Sequence, residues 1–122
     1  MKLKSDAEIL RYVKSYTTEK DMHLSPTTCA IFISLVRLFL SDASYDAEQN
    51  MYYLQYSCRD FANMLQFSCN TLSTALQKLD ACELIKRVPV KKDFHRLKGG
   101  SVSVNKPNIT YLDLSPFTED CS

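Results

Sequence analysis

The chain has 122 residues, 45% of them hydrophobic, which is enough to bury one core and short for two. No apolar run reaches the roughly 18 to 20 residues that a membrane-spanning helix needs, and the charged opening does not read as a signal peptide. We therefore expect one cytoplasmic globular domain with no membrane partner.

The first two predicted elements are helices. Over residues 6–16 four apolar residues recur at helical spacing: Ile9, Leu10, Val13 and Tyr16. Two roles are open for this helix, a place in the core or a contact in a homodimer. Ser25 can cap a second helix whose first residue is Pro26. Apolar residues cover much of the circumference of this second helix, which predicts the centre of the core.

A loop, a strand and a short helix follow. Residues 41–50 are polar and rich in turn formers, which predicts a loop. The next segment, MYYLQYS, alternates as a short aromatic strand does. We interpret Tyr45, Tyr52, Tyr53 and Tyr56 mainly as packing residues, with stacking on single-stranded bases as the alternative. Ser57, with Asp60 three residues later, predicts a capped helix that ends near Leu65.

A further helix begins almost at once. Ser68 is a second cap candidate, and the buried stripe predicted behind it is Leu72, Ala75, Leu76 and Leu79. Two helices separated by a three- to four-residue turn form a helix-turn-helix. The face opposite the stripe holds Asn70, Thr74, Gln77 and Ala81, flanked by Thr71, Ser73 and Lys78. This face is predicted to be exposed, polar and largely uncharged.

The last part of the chain predicts a basic hairpin. Strands are expected near 84–90 and 109–114, and the segment between them holds both glycines of the protein. Its cations include Lys91, Lys92, Arg96 and Lys98. From residue 57 to residue 106 there are nine lysines and arginines against four acidic residues, which leaves +5. A solvated charged face is the alternative reading of this basic block.

These elements together predict a mainly α fold with a small β wing, an α+β winged helix-turn-helix. We expect an N-terminal helix over 1–20 that is free to contact a second copy, the winged domain over 21–114, and a flexible acidic tail over 115–122.

Particular stretches resemble a known family. The opening LSPTTCAIFISLVRL, the segment YSCRDFANMLQFSCNTLSTALQKLDACELIKR and the return strand NKPNITYL stand where that family has matching motifs. From Leu24 to Leu114, about three quarters of the chain, the sequence resembles the N-terminal winged-helix domain of the plasmid replication initiator protein A family and related phage replisome-organiser domains. The resemblance implies DNA binding and a role in replication, with a fragment, a stand-alone regulator and an accessory protein all open.

One position departs from the family's pattern. Such domains place a glycine before the Leu-Ile pair, where this chain has Cys82 and Glu83. A left-handed helix end at Glu83 would cost about 1 kcal/mol relative to glycine, and a different exit from the helix is the alternative.

Chemistry assigns roles to the predicted DNA-binding residues. Asn70 and Gln77 can pair with two atoms on an adenine edge. Thr71, Ser73 and Thr74 can reach phosphates or thymine methyl groups, and Lys78 can reach the backbone. Lys91, Lys92, Arg96 and Lys98 would release counterions from phosphates, and Arg96 could also enter a minor groove. An ordinary solvated surface is the alternative for both sets.

The sequence contains no motif that is typical of an enzyme or of a metal site. The five cysteines are odd in number and lack a Cys-x-x-Cys, and neither His23 nor His95 has a partner at ligand spacing. We expect reduced thiols, no catalytic residues, no metal and no cofactor.

Two classes of function remain. The first is sequence-specific binding of double-stranded DNA, by a transcription regulator or a replication-initiation or accessory protein of a mobile element such as a plasmid. The second is a protein-interaction module that acts as an adaptor for replication or transcription machinery without reading DNA. A homodimer would suit a palindromic DNA site.

Overall fold

The computed structural model describes residues 2–89, 93–97, 100–104 and 108–119, with the two short middle ranges as backbone only. The described residues form four α-helices: α1 (Asp6–Glu19), α2 (Pro26–Asp42), α3 (Cys58–Leu65) and α4 (Cys69–Ala81). A short 3-10 helix covers Ser115–Phe117. Within these described ranges, no helix has both the length and the hydrophobicity that crossing a membrane requires.

Antiparallel strands complete an α+β fold. A four-stranded sheet has the order β2 (Ser44–Asp46), β3 (Met51–Leu54), β7 (Ile109–Leu112), β4 (Lys86–Val88). Strands β5 (Asp93–Leu97) and β6 (Gly100–Val104) pair as a separate hairpin, with Arg96 opposite Ser101. The N-terminal β1 (Lys2–Leu3) pairs with β8 (Thr118–Glu119). The class is α+β as expected, with more β structure than the predicted strand and hairpin.

Each of the four α-helices is preceded by a capping serine. The hydroxyl oxygen of the capping serine accepts the backbone N–H three residues later, which satisfies one of the unpaired donors of the first turn. The four caps are Ser5, Ser25, Ser57 and Ser68. The last three confirm the predicted helix starts, and Asp60 completes the capping box by accepting the N–H of Ser57 at 3.1 Å.

Three helices end on residues with left-handed backbone that are not glycine. Asp21 follows α1, Gln66 ends α3 and Glu83 follows α4, with φ of 54°, 60° and 66°. The end of α4 has the two bonds of a Schellman motif, from the N–H of Leu84 to Leu79 O and from the N–H of Glu83 to Asp80 O, both at 3.0 Å. Glu83 therefore adopts the left-handed conformation although it carries a side chain.

Two residues at the end of α1 donate hydrogen bonds to Glu83. The Tyr16 hydroxyl donates to the carbonyl oxygen of Glu83 at 3.3 Å, and the Lys20 ammonium donates to its carboxylate. The bond from Lys20 holds the pKa of Glu83 below its usual value. These contacts join the ends of α1 and α4, although an exposed ion pair of this kind adds little stability.

One core lies between the helices and the sheet. Ile31, Phe32, Leu35 and Val36 of α2 are fully buried, which confirms α2 as the central helix. Ile9 and Val13 of α1 lie in the same cluster. The predicted α1 stripe therefore belongs to the core, and its two most buried residues cannot also contact a second copy. Cys29 and Cys82 are free thiols that are buried in the core, as small apolar residues would be. Burial raises the pKa of both thiols.

The loop predicted over 41–50 is wrong in part. Strand β2 occupies its middle and pairs with β3, with Tyr45 opposite Tyr52. The hairpin closes because the carboxylate of Asp46 accepts the N–H groups of Glu48 and Gln49 at 3.0 and 3.3 Å and Asn50 adopts a left-handed φ of 54°. The turn residues were visible in the sequence, but a three-residue strand is too short to show alternation.

The flexible tail predicted from residue 115 is also incorrect for 115–119. Phe117 is 2% exposed, and its ring packs edge-on against Tyr12 and Phe32 at centroid distances of 5.1 and 5.2 Å. The N–H of Lys4 donates to Phe117 O at 2.9 Å beside the β1–β8 pair. A single buried aromatic residue therefore anchors a segment whose neighbours are polar.

This packing can be tested by truncating the ring. Phe117→Ala is expected to lower the free energy of unfolding by about 3 to 5 kcal/mol, because it leaves a cavity against α1 and α2. Urea unfolding followed by circular dichroism measures the change. Met64→Ala, at a side chain that is 48% exposed on α3, is the control and should change the value by no more than about 0.5 kcal/mol. Equal values for the two variants would contradict the described packing of 115–119.

Candidate nucleic-acid interface

The turn between α3 and α4 fixes how α4 leaves the core. α3 ends when Gln66 adopts its left-handed conformation, and the N–H of Phe67 then donates to Ala62 O at 3.1 Å. Ser68 caps α4 by accepting the N–H of Thr71 at 3.2 Å. Only Gln66, Phe67 and Ser68 separate the two helices, as the sequence predicts for a helix-turn-helix.

One side of α4 is buried and the other is open. Leu72, Ala75, Leu76 and Leu79 are at most 2% exposed, and α4 contacts α2 and α3. The opposite side presents exposed polar side chains. Of the predicted DNA-binding residues on α4, Asn70, Thr71, Thr74, Gln77 and Lys78 are exposed and Ser73 is half-buried. The structure therefore gathers these six residues on one helix, with their side chains outside the core.

Hydrogen bonding decides what this face can offer a ligand. The Thr74 hydroxyl donates to Asn70 O at 3.0 Å, so its methyl group and a lone pair remain for outside contacts. Thr71 accepts a bond from Ser68 Oγ at 2.8 Å, which leaves its own proton available. Within the described ranges no hydrogen bond engages the side-chain amides of Asn70 or Gln77. Both amides can donate and accept toward a partner at once.

The predicted basic wing falls largely outside the described residues. Lys91, Lys92 and Lys98 lie outside them, and Arg96 lies in β5, where the backbone alone is described. The backbone does form the expected hairpin between β4 and β7, with Asp93 opposite Val104 and Leu97 opposite Gly100. The hairpin is therefore present in the fold, while the positions of its four cations stay predictions.

Strand β4 adds a cation that is not among the predicted DNA-binding residues. Alternation sends one of Lys86 and Arg87 toward the helices, and the register pairs Arg87 with Thr110, which is 1% exposed on the core side of the sheet. The Arg87 side chain is half-buried, and its Nε is buried without a hydrogen-bond partner in the described part of the chain. The backbone N–H of Arg87 donates to the carboxylate of Asp80 of α4 at 3.4 Å. Arg87 therefore lies on the side of the sheet that carries α4, and knowing the pairing partner of β4 would have identified it.

Metal chemistry has no site in this part of the molecule. Across the residues that the structure describes, no group of three His, Cys, Asp or Glu side chains could hold a metal ion.

The chain has a distant structural likeness to a known protein. No protein-family model matches the chain, and no curated protein matches it. A solved structure described as "N-Terminal domain of DNA binding protein" is similar over 74% of this chain and 61% of its own, with 22% identity and a TM-score of 0.48. The chain thus spans less than two thirds of that structure. A likeness this distant says nothing of function.

The turn itself offers a test. Gln66→Gly is expected to raise the free energy of unfolding by about 1 kcal/mol, because glycine adopts the left-handed conformation without a side-chain clash. Urea unfolding measures the change. Gln66→Ala is the matched control and should give no such gain, since alanine meets the same steric cost. A loss of stability on introducing glycine would mean that Gln66 does not end α3 in this conformation.

Proposed function

We propose that the chain is a winged helix-turn-helix protein that binds double-stranded DNA in a sequence-specific way, with α4 as its recognition helix. The observation that carries the proposal is the exposed polar face of α4, whose amide side chains are not used within the described fold. The buried stripe of α4 supports it, because the helix is held firmly by α2 and α3 while this face stays open.

Reading of bases would depend on Asn70 and Gln77. The major groove is wide enough for an α-helix, and an amide group can accept from N6 and donate to N7 of one adenine, a pattern that no other base presents. Asn70 lies in the first turn of α4, which is where helix-turn-helix proteins commonly contact base edges. The methyl group of Thr74, one turn further on, suits contact with a thymine.

Affinity that does not depend on sequence would come from the hairpin. The hairpin β5–β6 and the segments beside it in the sequence contain Lys91, Lys92, Arg96 and Lys98. These cations would neutralise phosphates next to the groove that α4 enters. Lys78 on α4 and Arg87 on β4 add cations on the helix side of the sheet. The Arg87 side chain is half-buried, and a phosphate oxygen is a strong acceptor for a guanidinium group.

The biological role that fits is regulation of transcription or initiation of replication in a mobile element, as an initiator or an accessory protein. Such proteins act on a defined DNA site and recruit other proteins to it. A homodimer would match a palindromic site, but its contact cannot use Ile9 and Val13 of α1, which the core buries.

A protein-interaction module is the second candidate. Among the six predicted contact residues of α4, Lys78 is the single cation, and a polar uncharged helix face can also bind a protein. The two candidates differ in their response to salt, because displacement of counterions is specific to a polyanion such as DNA.

Salt dependence is the first test of DNA binding. Fluorescence polarisation with a labelled random duplex, measured between about 50 and 200 mM salt, should give a log–log slope near −4 to −5. The triple variant Lys91→Ala, Lys92→Ala, Arg96→Ala should make the slope shallower by about 2 to 3, as three phosphate contacts are lost.

A matched control removes three cations from the N-terminal part of the chain. Lys4→Ala, Arg11→Ala, Lys14→Ala has the same change in charge and should leave the slope within about one unit of the parent value. Negligible binding at low salt would remove the DNA proposal and favour the protein-interaction module, whereas equal losses in the two triple variants would show that the hairpin is not the specific phosphate-binding element.

Sequence reading is the second test. Asn70→Ala and Gln77→Ala should each weaken binding to a duplex selected from a random library by about 1 to 3 kcal/mol, because a bidentate contact to one base is lost. Binding to random duplex should change by less than about twofold. Asn63→Ala removes an exposed amide from α3 and is the control. Equal weakening on selected and random DNA would show that α4 does not read bases.

A further inference from the structure

The face of the sheet turned away from the helices carries a cleft of its own. Leu54, Thr110 and Leu112 point into the core, so strand alternation sends Tyr53 and Tyr111 to the opposite face. A cleft of about 510 Å³ opens there, and its lining includes Tyr53, Ile109, Tyr111, Asp46 and Glu48. We name it the outer cleft.

Aromatic rings form the floor of the outer cleft. The ring centroids of Tyr53 and Tyr111 lie 6.0 Å apart with an interplanar angle of 49°. Tyr111 is 9% exposed, whereas Tyr53 is half-buried and presents part of its ring to the cleft. The floor is therefore rich in π electrons and held by the sheet.

Carboxylates stand at one end of this floor. Asp46 accepts the Tyr111 hydroxyl at 3.2 Å on one oxygen and two turn N–H groups on the other, so its orientation is fixed. Glu48 in the same turn is exposed. Lys86, opposite Tyr111 in the neighbouring strand, does not line the cleft, and the described lining holds no lysine or arginine. The cleft is thus anionic in a protein whose net charge is +1.

The charge decides which kind of partner can occupy this cleft. Two carboxylates would repel nucleic-acid phosphates and attract a cation. A guanidinium group is planar, stacks on aromatic rings and can bond to carboxylates through several N–H groups, so it matches both parts of the cleft. An ammonium group would satisfy the carboxylates but would stack less well on the rings.

The cleft also lies beside a strand edge. β2 is the outer strand of the four-stranded sheet and pairs with β3 on one side, within the part of the chain that is described. An extended peptide could lie along β2 while one of its side chains enters the cleft. We propose that the outer cleft is a docking surface for an extended, arginine-bearing segment of a partner protein. It is separate from the α4 surface, because the helices pack against the other face of the sheet.

Short blocked peptides provide the probe. Gly-Arg-Gly is titrated into the 15N-labelled protein and compared with Gly-Lys-Gly and with the peptide in which neutral citrulline replaces arginine. With arginine, saturable amide shifts are expected at 44–48, 53 and 109–111 at concentrations up to about 10 mM. Citrulline should bind at least about fivefold more weakly, because it keeps the shape but loses the charge.

Variants assign the binding to the cleft. Glu48→Gln should weaken arginine-peptide binding by about two- to fivefold, and Tyr53→Leu should do the same by removing the stacking surface. Glu8→Gln, which removes an exposed acid from α1, is the matched control and should have no effect. Glu48 is exposed, so its variant keeps the proposal testable even if Tyr53→Leu unfolds.

Each remaining result overturns the proposal. These are the absence of saturable shifts, shifts spread over the surface, equal binding of the citrulline peptide, and equal weakening in Glu8→Gln. Asn70→Ala should leave the peptide shifts unchanged. The outer cleft and the DNA-binding surface can therefore fail or succeed independently.

Discussion

The packing of α4 against α2 is the constraint on which the rest of the structure depends. Four small or branched apolar residues of α4 face the fully buried centre of α2, and an α-helix that buries one side must expose the other. Rotating α4 by one residue, about 100°, would turn polar or charged residues toward an apolar core. These are Ser73, Gln77 and Asp80 in one sense and Thr71, Thr74 and Lys78 in the other. The side chains that α4 presents to solvent are thus fixed by those that it buries.

The sequence predicted the parts of the fold that depend on local chemistry. Ser25, Ser57 and Ser68 were identified as caps because hydroxyl groups before helices satisfy free N–H groups, and all three do so. The α4 stripe was equally readable, because thirteen residues show a clear period of 3.6. The exposed side of α4 followed directly from that stripe.

What the sequence could not provide depends on contacts between distant residues. Phe117 is one aromatic residue among polar neighbours, and only its position between Tyr12 and Phe32 makes it part of the core. Strand β2 is three residues long and is defined by its partner β3. Arg87 was ambiguous for the same reason, since a strand has two faces and only the pairing tells which one is covered. The outer cleft joins a turn, β3 and β7, so no single segment of sequence contains it.

The way in which Glu83 follows α4 has a consequence for the dynamics of the molecule. The last turn of α4 is closed by the bond from the N–H of Leu84 to Leu79 O. Tyr16 and Lys20, at the end of α1, both donate hydrogen bonds to Glu83. Fraying of either helix end breaks bonds that belong to both, so we expect these two helix ends, 67 residues apart at Tyr16 and Glu83, to exchange their amide hydrogens as one cooperative unit. A ligand on the far surface of α4 would then slow exchange in α1, which it never touches.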